Sequence, residues 1–307
     1  MHPAFSVIFF TAMSGAGYGL WFWLGLMTSI NHPLPRATAS IALALGFILT
    51  TFGLLSSTLH LGQPLRAWRA FSQWRTSWLS REGVLAMACL LPALGVARAL
   101  WQGHAVRPVG ALLLALLALA TVACTAMIYA SLKPIPAWRH SAVVPVYLLF
   151  ALLSGGLACA AMAAMSGLVI DNDVAVLVIA AAFLLWRMKR HYWRDIDRGQ
   201  LPATRASALG LPAERKVNVF EHPHTEANYL TKEMGFVLAR KHAKRLRLIA
   251  NVLFALVPAL CALPIWLFVH INAGPWLLIA AVSALLGAFV ERWLFFAEAR
   301  HVVTLYY

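Results

Sequence analysis

From Pro108 to Ser131 the chain reads PVGALLLALLALATVACTAMIYAS, without one charged residue. About 20 apolar residues suffice for a helix to cross a hydrocarbon slab. Such a slab offers the backbone no water, so the segment has to pair its own amides as a helix. Seven more apolar segments surround it, roughly at 4–30, 38–61, 83–101, 141–168, 174–188, 246–271 and 275–297. The sixth segment in chain order is the shortest. Of the 307 residues, 61% are hydrophobic and 12% charged, with a mean hydropathy of +0.74. A soluble domain is about half apolar and a quarter charged. The composition excludes an ordinary soluble enzyme, a disordered chain and a disulfide scaffold. The long uninterrupted runs exclude a transmembrane barrel, whose strands alternate in short pieces. The expected fold is all-α: a polytopic membrane protein, an eight-transmembrane-helix bundle, with residues 1–307 forming a single membrane domain.

Turn chemistry separates the segments. Asn31-His32-Pro33-Leu34-Pro35 and Lys133-Pro134-Ile135-Pro136 end helices, as does Asp171-Asn172-Asp173, and Asn272-Ala273-Gly274-Pro275 makes a tight turn. The first segment lacks a basic leader and is too long for a cleaved signal. Gly15 and Gly19 form a small-xxx-small pair that suits close helix packing. Cys89, Cys124, Cys159 and Cys261 each lie alone in apolar sequence, as small buried hydrophobes. No metal site is expected in this chain.

The net charge is +14. Counted by side, 22 of the 25 Lys and Arg residues fall on the side of the N-terminus, and Arg36, Arg98 and Arg107 on the other. Excess positive charge marks the cytoplasmic side, so both termini are expected inside the cell. The polar stretch 189–245, between helices six and seven, holds much of that charge. It also holds Tyr192, Trp193, Val217, Phe220, Tyr229 and Phe236, side chains able to fill an interface core. It is expected to be a cytoplasmic basic loop on which a partner docks. His222-Pro223-His224 within it lacks a third ligand.

The chemistry concentrates in Leu59–Gly83, LHLGQPLRAWRAFSQWRTSWLSREG. His60 ends the second helix and Glu82 opens the third, on the same membrane face. A histidine titrates near neutrality, and a partly buried carboxylate can be raised towards it. Beside an apolar cavity the two suit proton handling. Arg66, Arg69, Arg75 and Arg81, with Trp68, Trp74 and Trp78, read equally well as an interfacial belt.

Leu59-His60-Leu61-Gly62, Pro64, Arg66-Ala67-Trp68, Leu79-Ser80 and Glu82 resemble the DmsC family, the membrane anchor subunits of dimethyl sulfoxide reductases. MHPAFSVIFFTAMSGAGYGL at the N-terminus and FEHPHTEANYLTKEMGFVLARKHA from Phe220 to Ala243 resemble more the branch found with membrane-bound sulfite dehydrogenase, the SoeC type. The resemblance covers essentially the whole chain. It implies a subunit of the inner (cytoplasmic) membrane that exchanges electrons with ubiquinone or menaquinone. It implies partners: a molybdopterin catalytic subunit and a four-cluster iron–sulfur subunit. In the dimethyl sulfoxide reductase branch the residues matching His60 and Glu82 belong to the quinol site; Arg66 is expected to hold the quinone headgroup or the partner, and Trp68, with Trp74 and Trp78, to shape the entrance or the docking surface. His140, after Pro136-Ala137-Trp138-Arg139, is a further candidate facing the same cavity. A b-type haem between His60 and His140 is the rival cofactor. It is not favoured, because the family mostly works without haem in this subunit. The sequence has no CxxCH, so covalent haem is excluded. A transporter is disfavoured by the absence of a convincing internal repeat. The basic face carries the LHLG motif, so partner docking is expected on the cytoplasmic side. That arrangement suits sulfite oxidation feeding quinone, the alternative being a dimethyl sulfoxide reductase anchor that oxidises quinol.

Overall fold

The computed structural model describes residues 4–59, 63–199, 203–212, 214–221, 238–268 and 271–305. His60, His222 and His224 lie outside the described residues, as does most of the Phe220–Ala243 segment. The described chain is all helix and connection. Helices α1 (Phe5–Ser29), α2 (Arg36–Thr58), α3 (Trp78–Gln102), α4 (Pro108–Ala130), α5 (Val143–Met165) and α6 (Asn172–Arg198) come first. A 3-10 turn, Pro64–Gln73, lies between α2 and α3. A one-turn α7 (Arg205–Ala208) follows, then α8 (Leu238–Asn251), α9 (Val257–Leu267) and α10 (Ala273–Ala297).

Helices α8 and α9 join through a π turn, Val252–Leu256. Pro258, at the start of α9, has no amide hydrogen to continue the ladder. Ser283 Oγ on α10 donates to the Leu253 carbonyl at 2.8 Å and satisfies a group inside that turn.

Among the described residues seven helices are long and apolar enough to cross a membrane: α1 to α5, the joined rod His242–Leu267, and α10. The eighth expected span, α6, is helical. Asp173 at one end and Arg187, Lys189 and Arg190 at the other close in on its apolar run, so it does not join the seven by composition. The polar stretch 189–245 is also helical at both ends. Helix α6 runs on to Arg198 and α8 begins at Leu238, so the connection is shorter than the sequence suggests.

Helix α1 is the central post, packed against α2, α4 and α5. Glycine sets how closely they approach. A Cβ on Gly17 would strike Gly46 and Thr50 of α2, and one on Gly25 would strike Ala111 of α4. Gly19 and Gly155 meet backbone to backbone where α1 crosses α5. Gly15, the other half of the expected small-residue pair, has no atom within 4 Å of its Cβ position. Trp21 Nε1 donates to the Leu43 carbonyl at 3.0 Å, and Trp23 Nε1 to that of Leu152 at 2.9 Å, tying α1 to α2 and α5. All four cysteines are buried.

One end of the bundle gathers both chain ends. Ser56 Oγ donates to the Ser6 carbonyl at 3.0 Å. Val302 N donates to Pro134 O at 3.0 Å, and Arg205 Nε to Leu305 O at 2.7 Å.

Gly19→Ala and Gly155→Ala should each destabilise the bundle by about 1–3 kcal/mol, the usual cost of overpacking. Gly15→Ala should be neutral. Thermal unfolding in detergent checks this, and a Gly19→Ala protein melting with the wild type would contradict the close crossing.

Candidate functional site

Glu82 is the fifth residue of α3, whose first turn is capped by Ser77 Oγ accepting from Ser80 N. Its side chain faces α4 and is only 3% exposed. Thr125 Oγ1 donates to Glu82 Oε1. The same hydroxyl lies 3.1 Å from the Thr121 carbonyl, one turn back on α4. A threonine hydroxyl has one hydrogen and can also accept. With Glu82 ionised, Thr125 donates to the carboxylate. With Glu82 protonated, the carboxylic acid donates to Thr125, which turns its own hydrogen to Thr121. The carboxyl therefore keeps a partner in either protonation state, which is what a buried proton-handling acid requires.

The surroundings fit a face at the edge of the membrane. The Phe71 ring lies against Gly83, next to Glu82. Arg66 and Trp68 stand exposed on the Pro64–Gln73 turn, as does Trp74 just after it. Guanidinium groups sit over three tryptophans: Arg69 on Trp68 at 5.7 Å, Arg75 on Trp74 at 5.5 Å and Arg81 on Trp78 at 4.3 Å. Arg81 also donates to the Trp74 and Arg75 carbonyls at 3.0 and 2.6 Å, folding the turn onto the start of α3. Of the expected pair, only Glu82 is among the described residues.

No described contact joins His140 to Glu82. Its Nδ1 accepts from Ala142 N at 3.1 Å, which leaves the proton of the neutral ring on Nε2. Nε2 lies 3.0 Å from Asp195 Oδ2, and His191 Nε2 lies 3.3 Å from the same oxygen. These three side chains are close enough to hold a metal ion. The Ala142 amide argues otherwise, because a metal on Nε2 would move the proton to Nδ1, against another donor. The arrangement is a histidine–carboxylate pair between the start of α5 and the end of α6.

The most heavily buried charges do not stand out in the sequence. Lys189 Nζ on α6 lies 2.5 Å from Glu291 Oε1 on α10, and Arg292 Nε lies 3.0 Å from Glu291 Oε2. The three residues are 1%, 0% and 2% exposed. Lys189 sits over Tyr192 at 3.9 Å and Arg292 over Tyr147 at 3.6 Å. Two cations share one carboxylate. Both terminal nitrogens of Arg292 and the Tyr147 hydroxyl make no hydrogen bond among the described residues. Arg292, Tyr147 and Thr125 line one cavity of about 10 Å³, room for one water. Arg292, Tyr147, Glu291 and Lys189 line a second of about 10 Å³. Polar side chains thus recur between Glu82 and Lys189, with the first cavity lying between Thr125 and Arg292. The signal was Glu291-Arg292 inside the last apolar segment, since ionisable residues within a span are functional candidates by default.

At the end of α10, Arg247 bonds Asp197 at 2.6 and 2.8 Å and Glu298 at 2.9 Å. Burial raises the Glu298 carboxyl above its usual range, with Arg247 pulling it the other way.

A bundle of long apolar helices with a buried carboxyl near one rim has the build of a membrane anchor. The profile of the DMSO reductase anchor subunit (DmsC) family matches residues 1–297, and the chain belongs to that family. It is a membrane anchor subunit of an oxidoreductase. It is 35% identical to a subunit of the sulfite dehydrogenase of Allochromatium vinosum, in an alignment covering 100% of this chain and 99% of that protein.

Glu291→Gln should destabilise the protein by about 3–5 kcal/mol, because it leaves two buried cations without a counter-charge. Lys189→Met should do less harm, as Glu291 keeps Arg292. Unfolding midpoints in detergent measure both, and an unchanged midpoint for Glu291→Gln would contradict the ion cluster.

Proposed function

We propose that this anchor reduces membrane quinone at the rim of the bundle where α3 begins, with Glu82 delivering protons. The Glu82–Thr125 pair carries the proposal. Quinone reduction consumes two electrons and two protons. The protons have to reach a carbonyl oxygen at the edge of an apolar slab, and a buried carboxyl that stays hydrogen-bonded in both states suits that task. His60, which follows α2 closely in sequence, is the second proton donor. Arg66 and Trp68 shape the approach and orient the quinone headgroup. His140 keeps the end of α6 in place through Asp195.

Electrons arrive from a four-cluster iron–sulfur subunit, which takes them from a molybdopterin catalytic subunit. Full-length similarity to a sulfite dehydrogenase subunit supports sulfite as the electron source: sulfite and water give sulfate, two protons and two electrons. The 22 basic residues on one side support a cytoplasmic docking face in the inner membrane, with α6 as an eighth span and both termini inside. The connection between α6 and α8, with Phe220 fully exposed, supports docking there. The family description keeps one alternative open: an anchor of a dimethyl sulfoxide reductase, oxidising quinol on the opposite side of the membrane.

Glu82→Gln should slow quinone reduction by about 10²-fold, the lower range for losing a positioned proton donor. The complex should stay assembled, and electron transfer to a water-soluble dye at the partner subunits should be unchanged. Wild-type quinone turnover in Glu82→Gln would refute the role. A green-fluorescent fusion after Tyr307 should be bright and an alkaline phosphatase fusion inactive; the reverse would return the reading to the outward-facing reductase.

A further inference from the structure

Helices α6 and α8 enclose an open groove of about 770 Å³ at the basic end of the bundle. Five cations and one carboxylate line it. Arg247 already holds that carboxylate, Asp197, with two hydrogen bonds. Arg190, Arg194, Arg198 and Lys244 have no salt bridge within 4.0 Å among the described residues.

We propose that this groove binds the phosphate of an anionic phospholipid, of which phosphatidylglycerol is the probe. The phosphate lies among Arg190, Arg194, Arg198 and Lys244, the four cations of the lining that have no carboxylate partner among the described residues. The surface next to the groove favours a lipid over an acidic protein. Towards the apolar part of the two helices, Phe183 and Leu184 on α6 and Leu248 and Ile249 on α8 are exposed, and Leu256 and Leu260 continue the strip. Acyl chains fit such a strip, directly below a basic groove between membrane helices. Trp186, with Arg190 over its ring at 5.3 Å, marks the boundary between the two.

The test uses the delipidated complex in detergent, titrated with phosphatidylglycerol, phosphatidylcholine or inorganic phosphate. Native mass spectrometry reads the bound lipid. Phosphatidylglycerol should be retained and phosphatidylcholine should not. Arg194→Gln with Lys244→Gln should weaken retention by roughly 25-fold, about fivefold per cation at an anionic lipid surface. Arg198→Gln alone should weaken it about fivefold. Equal retention of phosphatidylcholine, or unaltered retention in the double variant, would overturn the proposal. So would inorganic phosphate displacing the lipid at millimolar concentration, which would make this a simple anion site. Partner subunits lost from the double variant while phosphatidylglycerol stays bound would make it a protein-docking face instead.

Discussion

A charge inside an apolar slab has to find its compensation inside the protein, because removing an ion from water without a partner costs several kcal/mol. Much of this bundle answers to that constraint. Glu82 takes a hydroxyl from the neighbouring helix α4. Lys189 and Arg292 converge on Glu291, and their charges are spread over the faces of Tyr192 and Tyr147. A buried ion cluster is weak support for stability, since well-packed apolar residues often do as well or better. The cluster is therefore better understood as groups that have to be kept together once buried than as a net gain in stability.

Its geometry depends on how closely the helices approach. Glycines on α1 bring α2, α4 and α5 against one post, and Gly25 seats α4 through Ala111. Helix α3 then lies on α4, where Cys89 Sγ contacts the Leu114 carbonyl at 3.9 Å and Glu82 meets Thr125. A side chain grown at Gly19 or Gly25 would push apart the helices that line the first cavity. Packing and chemistry are coupled through a few missing Cβ atoms.

The helices were legible in the sequence because hydropathy over some 20 residues reports the medium directly. Glu82 was legible for the same reason: a carboxyl beside a long apolar run stands out. Its partner was not. Thr125 lies 43 residues away on another helix, and spacing within one helix says nothing of the rotational phase of the next. Asp195, 55 residues from His140, was hidden in the same way. Lys189, Glu291 and Arg292 were obscured differently. Lys189 and Arg292 count as topological charge at helix ends, yet α6 and α10 bury them. Gly15 and Gly19 share a motif, but only Gly19 meets a neighbouring backbone while Gly15 borders the first cavity, since a repeat of four names a stripe and not its neighbour.

The most direct test is whether the Glu82 carboxyl changes protonation as quinone is reduced. Infrared difference spectra of the purified complex, recorded between oxidised and reduced quinone, resolve a protonated carboxyl by its C=O stretch and its shift in deuterated water. A proton-delivering Glu82 predicts one such band in the wild type, lost in Glu82→Gln and displaced in Thr125→Val, where the hydroxyl that serves both states is gone. A redox difference spectrum without a carboxyl band, or with a band that survives in Glu82→Gln, would contradict it.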